Sequence, residues 1–103
     1  MKINFLLDME EQTIINILEQ RGYDTRSAKL VAGELLQLSN PLNKLFTEWI
    51  KLESCKKDFS TNGYSLLALM KERNMTYPAA LLTMDWLIKD PTNALTSLKR
   101  GIK

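Results

Sequence analysis

The chain has 103 residues, 45% of them hydrophobic, which is the size and composition of one ordinary globular domain with its own core. Its net charge of +2 is too small to attract nucleic acid or anionic lipid over a distance. The sequence has no histidine and one cysteine, which excludes the usual zinc sites and the Ser-His and Cys-His nucleophiles. We therefore expect a single domain over residues 1–103 that is not an enzyme and holds no metal or cofactor.

Cysteine usage and the apolar segments predict the compartment. The single cysteine, Cys55, cannot form an intramolecular disulfide, which fits a reducing environment. The apolar run near the start is interrupted at once by Asp8 and is too short for a secretory signal. The longest uninterrupted apolar stretch, Leu66 to Met70, is far below the ~20 residues that span a bilayer. A cytoplasmic protein without a membrane segment is the expectation.

Three helices are predicted in the first half of the chain. The first covers residues 8–21 and ends at Gly22, which can adopt the left-handed conformation. The second begins at residue 24 or 25 and must stop at Asn40-Pro41, because a residue before proline is driven out of the helical region. The same pair opens the third helix, with Asn40 as N-cap and Pro41 in the first turn. Its apolar residues form the cleanest amphipathic pattern in the chain: Leu42, Leu45, Phe46, Trp49, Ile50 and Leu52.

The segment from Cys55 to Gly63 is predicted to be a connector between the two halves of the chain. Asn62-Gly63 favours a tight turn, so one short extended segment near residues 58–64 is expected. Ser65 then caps a short fourth helix, and Asn74 is placed to end it in the left-handed conformation.

Residues 76–90 form the predicted central helix. Apolar side chains cover nearly its whole circumference, and such a helix must be enclosed by others. A narrow polar strip is expected to hold Pro78, Asp85 and Lys89, with Leu82 at its edge. Asp90-Pro91 opens a last helix that Gly101 closes. The predicted fold class is an all-α, compact single-domain bundle of five or six short helices.

The hairpin from Ser65 to Lys89 resembles the outline of helix-turn-helix DNA-binding modules, over about a quarter of the chain. The likeness is one of topology, and the exposed strip of its second helix lacks the residues that read bases. A tight helical hairpin within the core is the other interpretation. A better surface for nucleic acid lies on the last helix, where helical spacing groups five residues: Asn93, Thr96, Lys99, Arg100 and Lys103.

Surplus apolar residues favour a protein-binding function instead. Tyr77 and Trp86 are of the types that anchor interfaces, and Leu82 adds an apolar side chain on the polar strip. Gly33 inside the second helix suggests the close approach of another helix. We therefore predict a small non-enzymatic interaction or regulatory module that acts through a protein partner or self-association, with no small-molecule substrate. The alternative is a small DNA-binding regulator that uses residues 65–89.

Overall fold

The computed structural model describes residues 11–101, and the predicted start of the first helix at Asp8 lies outside them. The described part of the chain forms six helices and one two-stranded antiparallel sheet, so the predicted all-α class with a short extended segment is confirmed. In chain order the elements are α1 (Glu11–Gln20), α2 (Thr25–Leu35), α3 (Asn40–Lys51), β1 (Ser60–Thr61), β2 (Tyr64–Ser65), α4 (Leu66–Arg73), α5 (Tyr77–Lys89) and α6 (Pro91–Gly101).

The chain divides into two compact units, Met1–Cys55 and Lys56–Lys103. The first unit contains α1, α2 and α3, and α1 packs against α2. The second contains the β-hairpin and the last three helices, with α5 in contact with β1, α4 and α6. Within this second unit α5 is the central helix, as its apolar composition predicts. Organisation as a single domain over the whole chain stays a prediction.

The end of α1 and the start of α2 are determined by local sequence signals. Gly22 has a φ of 111°, and the N–H of Tyr23 donates to the Leu18 carbonyl at 3.0 Å, which closes α1 in a Schellman arrangement. Asp24 is the N-cap of α2, where its carboxylate accepts from the Ser27 N–H. The predicted end of α1 at Gly22 and the predicted start of α2 at residue 24 or 25 are both confirmed.

The predicted boundary between α2 and α3 is wrong by several residues. α2 ends at Leu35, well before Asn40-Pro41, because the next turn is tightened by hydrogen bonds from Gln37 to Glu34 and from Leu38 to Leu35. This change of direction buries Leu38, which is 5% exposed. Ser39, not Asn40, has the extended conformation of the α3 N-cap. Pro41 therefore does not fix where α2 ends, and Asn40, the residue before it, is itself the first residue of α3.

A guanidinium group closes the C-terminal end of α3. Arg21, just after α1, donates through its two terminal nitrogens to the carbonyls of Trp49 at 2.7 Å and Ile50 at 2.9 Å. Its central carbon lies 4.5 Å from the centroid of the Trp49 ring. The last carbonyls of a helix lack intrahelical partners and carry partial negative charge, so a cation bound there is stabilising.

The β-hairpin has the register and turn that Asn62-Gly63 predicts. Ser60 pairs with Ser65 and Thr61 with Tyr64, which leaves two residues in the loop. Asn62 and Gly63 have φ values of 53° and 83°, and two positive values are the signature of a type I′ turn.

A carboxylate in the connector holds the start of α4. Asp58 accepts hydrogen bonds from the Phe59 and Leu67 N–H groups at 2.8 and 3.0 Å and from the Ser65 hydroxyl at 2.9 Å. Ser65 in turn caps α4 by accepting from the Ala68 N–H. The hydrogen bond from the Leu67 N–H is the main cause that lowers the pKa of Asp58 below its ordinary value of 3.8, and it outweighs the opposing effect of burial.

This lowered pKa predicts a loss of stability in acid. The folded chain favours the charged form of Asp58. The stability that this carboxylate contributes is therefore present above pH ~4 and is lost as the pH falls through the lowered pKa. We expect Asp58→Asn to reduce the free energy of unfolding by about 1 kcal/mol at pH 7 in urea titrations, since the carboxylate is exposed and partly screened. The difference from wild type should shrink below pH ~3. Glu72→Gln, which removes a carboxylate from the exposed side of α4, is the control and should change little.

Candidate functional site

The orientation of α5 differs from the one its sequence predicts. Pro78 and Asp85, expected on an exposed strip, are both buried. Asp85 is 7% exposed, and its carboxylate binds the Lys89 ammonium group at 2.7 Å. A carboxylate with such a partner can lie at the edge of a core, because the ion pair offsets part of the desolvation cost. The polar strip predicted for this helix is therefore wrong.

The surface that α5 does present is largely apolar. Leu82 is half-buried and Trp86, one turn further on, is 39% exposed. Residues three and four positions apart lie on the same side of a helix, so Ala79 and Thr83 belong to the same surface. The Thr83 hydroxyl donates to the Ala79 carbonyl at 3.0 Å and also approaches the Met75 sulfur. We call Ala79, Leu82, Thr83 and Trp86 the α5 strip.

Tyr77 does not belong to this surface. Its side chain is 2% exposed, and its hydroxyl donates to the Lys57 carbonyl at 2.9 Å. Buried tyrosines usually satisfy their hydroxyl in this way, and a side chain so enclosed is not available to a partner. Of the three predicted partner-binding residues, the structure brings Leu82 and Trp86 together and places Tyr77 in the core.

The residues proposed to contact nucleic acid lie on α6 as the spacing predicts, with one exception. Asn93, Thr96, Lys99 and Arg100 are all exposed, while Lys103 is outside the described residues. Two of them form hydrogen bonds with neighbouring residues of the same segment. The Asn93 amide donates to the Asp90 carboxylate at 2.8 Å, and the Thr96 hydroxyl donates to the Thr92 carbonyl at 2.9 Å. The two cations, Lys99 and Arg100, therefore carry most of the attraction for an anion.

The hairpin formed by α4 and α5 has the predicted tight connection. Asn74 ends α4 with a φ of 56°, and the Met75 N–H donates to the Met70 carbonyl at 3.1 Å. Thr76 then caps α5 by accepting from the Ala79 N–H. The outline expected over residues 65–89 is present, but the strip that its second helix exposes holds leucine and tryptophan, which do not read base edges.

Outside the α5 strip, four more large apolar side chains of the described residues are exposed: Leu30, Leu52, Leu67 and Ile88. On α2, Leu30 is 70% exposed but stands between the exposed Arg26 and Glu34. Gly33 does not require a glycine for close packing, because a Cβ atom built there would meet the Glu11 Oε2 atom at an ordinary 3.6 Å. The close helix approach suggested by Gly33 is therefore not needed for α1 to pack on α2.

Groups with catalytic or metal-binding character are sparse in the described part of the chain. No three histidine, cysteine, aspartate or glutamate side chains of residues 11–101 are grouped so that they could hold a metal ion. Cys55 is half-buried, with its sulfur 3.9 Å from the Glu48 Oε1 atom. None of the described helices combines the length and apolar character needed to cross a membrane.

Comparison with protein-family models, curated proteins and solved structures finds no match to the chain. The α5 strip must therefore be interpreted from its own chemistry. Sequence reasoning missed Ala79 and Thr83 as members of it because the helix is apolar on nearly every side. The available signal was the spacing of Ala79, Leu82, Thr83 and Trp86, which groups them on one face.

Proposed function

We propose that the chain is a small non-enzymatic interaction module that binds a protein partner, or a second copy of itself, through the α5 strip. The observation that carries this proposal is the 39% exposure of Trp86 beside half-buried Leu82 on a helix whose other side lies in the core. Tryptophan is enriched among the residues that dominate binding energy, because its large surface is desolvated with little loss of side-chain entropy. Location in the cytoplasm belongs to the same proposal and rests on the single cysteine.

Rigid support strengthens the case for α5 as a binding element. The helix is capped by Thr76, and its buried side includes Leu81, Met84 and Leu87, each 0% exposed. A strip fixed on such a helix is preordered, so a partner that binds it meets a smaller entropic cost than it would on a loop.

Replacing Trp86 with alanine tests the proposal. We expect the variant to lose binding by at least about tenfold, the effect of removing a central aromatic anchor. Self-association would be measured by light scattering over a concentration series, and a partner by quantitative capture from the host lysate on immobilised protein. Leu30→Ala is the matched control, because it truncates a more exposed apolar residue outside the α5 strip.

These experiments distinguish self-association through the α5 strip from the binding of a different protein. A concentration-dependent dimer lost in Trp86→Ala alone supports self-association. A captured protein retained by wild type and Leu30→Ala, but not by Trp86→Ala, supports a different partner. Equal behaviour of all three proteins in both experiments would contradict the proposal.

A DNA-binding regulator is the second candidate, supported by the tight turn at Asn74 and by exposed Lys99 and Arg100 on α6. Each phosphate that a cation neutralises releases bound counterions, so the affinity for mixed-sequence DNA should fall as salt is raised. With two such cations the slope of log affinity against log salt should be about −2. This candidate predicts DNA binding that Lys99→Ala and Arg100→Ala weaken. The absence of binding at low salt would rule it out.

A further inference from the structure

The turn between β1 and β2 carries a reactive pair of residues. Asn62 and Gly63 are both exposed, and Asn62 is the only asparagine in the sequence that is followed by glycine. Glycine has no side chain to hinder approach to its own nitrogen, so the backbone N–H after the asparagine can reach the side-chain amide.

The same amide has a structural task at the end of α5. The Asn62 Nδ2 group donates to the Leu87 carbonyl at 3.0 Å. Within the helix that carbonyl would accept from the residue four positions later, which is Pro91 and has no N–H. Asn62 thus supplies a donor that the sequence of the helix cannot, and it fastens the hairpin to α5.

We propose that Asn62 is a site of spontaneous deamidation, and that the conversion unfastens the hairpin from α5. The Gly63 backbone nitrogen attacks the Asn62 side-chain carbonyl carbon. The new carbon–nitrogen bond closes a succinimide ring, and the bond to Nδ2 breaks. The displaced nitrogen leaves as ammonia with the proton from Gly63. Water then opens the ring at either carbonyl, giving aspartate or isoaspartate, with no oxidation or reduction.

The product cannot perform the task of the amide. A carboxylate has no N–H to donate to the Leu87 carbonyl. It also places negative charge beside the C-terminal end of α5, which already carries partial negative charge. Ring closure requires Nδ2 to leave the Leu87 carbonyl, so the rate of conversion follows the opening of this contact.

The reaction is tested by incubating the purified chain at mildly alkaline pH, with and without urea, and mapping its peptides over time. We expect aspartate and isoaspartate at residue 62 before any appear at the other six asparagines, and faster conversion in urea. Conversion at other asparagines while Asn62 stays intact, or equal rates with and without urea, would overturn the proposal.

The structural consequence is tested separately with Asn62→Asp. This variant should melt about 5–10 °C below wild type at pH 7. The deficit should shrink in acid, where the protonated carboxyl can donate again. Asn40→Asp is the matched control, since it makes the same change at the exposed start of α3, where negative charge is favourable. An Asn62→Asp variant that melts like wild type would show that the contact with Leu87 does not hold the hairpin.

Discussion

Replacing Arg21 with alanine is expected to lower the free energy of unfolding by about 2–4 kcal/mol, the combined effect of two charge-assisted hydrogen bonds and one cation–π contact. The substitution removes both donors from the carbonyls of Trp49 and Ile50 and the cation from the Trp49 ring. It also removes positive charge from the C-terminal end of α3. A domain of this size has a total stability of about 5–15 kcal/mol, so the loss is a large fraction.

Urea unfolding followed by Trp49 fluorescence measures this effect directly. Trp86→Phe in the background leaves Trp49 as the single tryptophan, so the signal comes from the ring that Arg21 contacts. Arg21→Lys separates charge from geometry and should lose part of the stability, because an ammonium group cannot bind the two carbonyls as a planar fork does. Arg26→Ala, which truncates an exposed arginine on α2, should change the stability by less than about 0.5 kcal/mol. Equal stability of Arg21→Ala and Arg26→Ala would contradict the role of Arg21.

The features that sequence analysis predicted well are those determined by a few adjacent residues. Ser65 caps α4 as predicted, and Asp24 and Thr76 cap α2 and α5 at their predicted starts. In each cap the side-chain acceptor and the backbone donor are only three residues apart. Asn74 ends α4 and Asn62-Gly63 forms the turn for the same reason, since a positive φ is a local requirement. Helix caps and tight turns can therefore be predicted without knowledge of the tertiary fold.

The orientation of α5 could not be predicted, because hydrophobic periodicity identifies a buried side only when the opposite side is polar. The sequence predicts Asp85 on the exposed side, yet its ion pair with Lys89 lets it lie at the edge of the core. The residue type of Trp86 suggests an interface anchor, but only the structure shows that its side chain is exposed. The candidate surface therefore depended on tertiary packing, as did the contact of Arg21 with residues 28 and 29 positions away.

Truncating Tyr77 to alanine is expected to lower the free energy of unfolding by about 3–5 kcal/mol, the range for large core aromatic residues. Tyr77 is the first residue of α5 and is 2% exposed, so its removal leaves a cavity in the second unit. Tyr77→Phe keeps the ring and removes only the donor to the Lys57 carbonyl, so it should cost about 1 kcal/mol. Both values would come from urea unfolding followed by Trp86 fluorescence in the second unit.

Tyr64→Phe is the control for the loss of a hydroxyl at a half-buried position in β2, and it should have a smaller effect than Tyr77→Phe. The same variants distinguish a core residue from a binding residue. Because the Tyr77 side chain is enclosed, Tyr77→Phe should leave partner binding or dimer formation unchanged, while Trp86→Ala abolishes it. A Tyr77→Phe protein that folds with wild-type stability but fails to bind would show that Tyr77 is a binding residue. That result would contradict its assignment to the core.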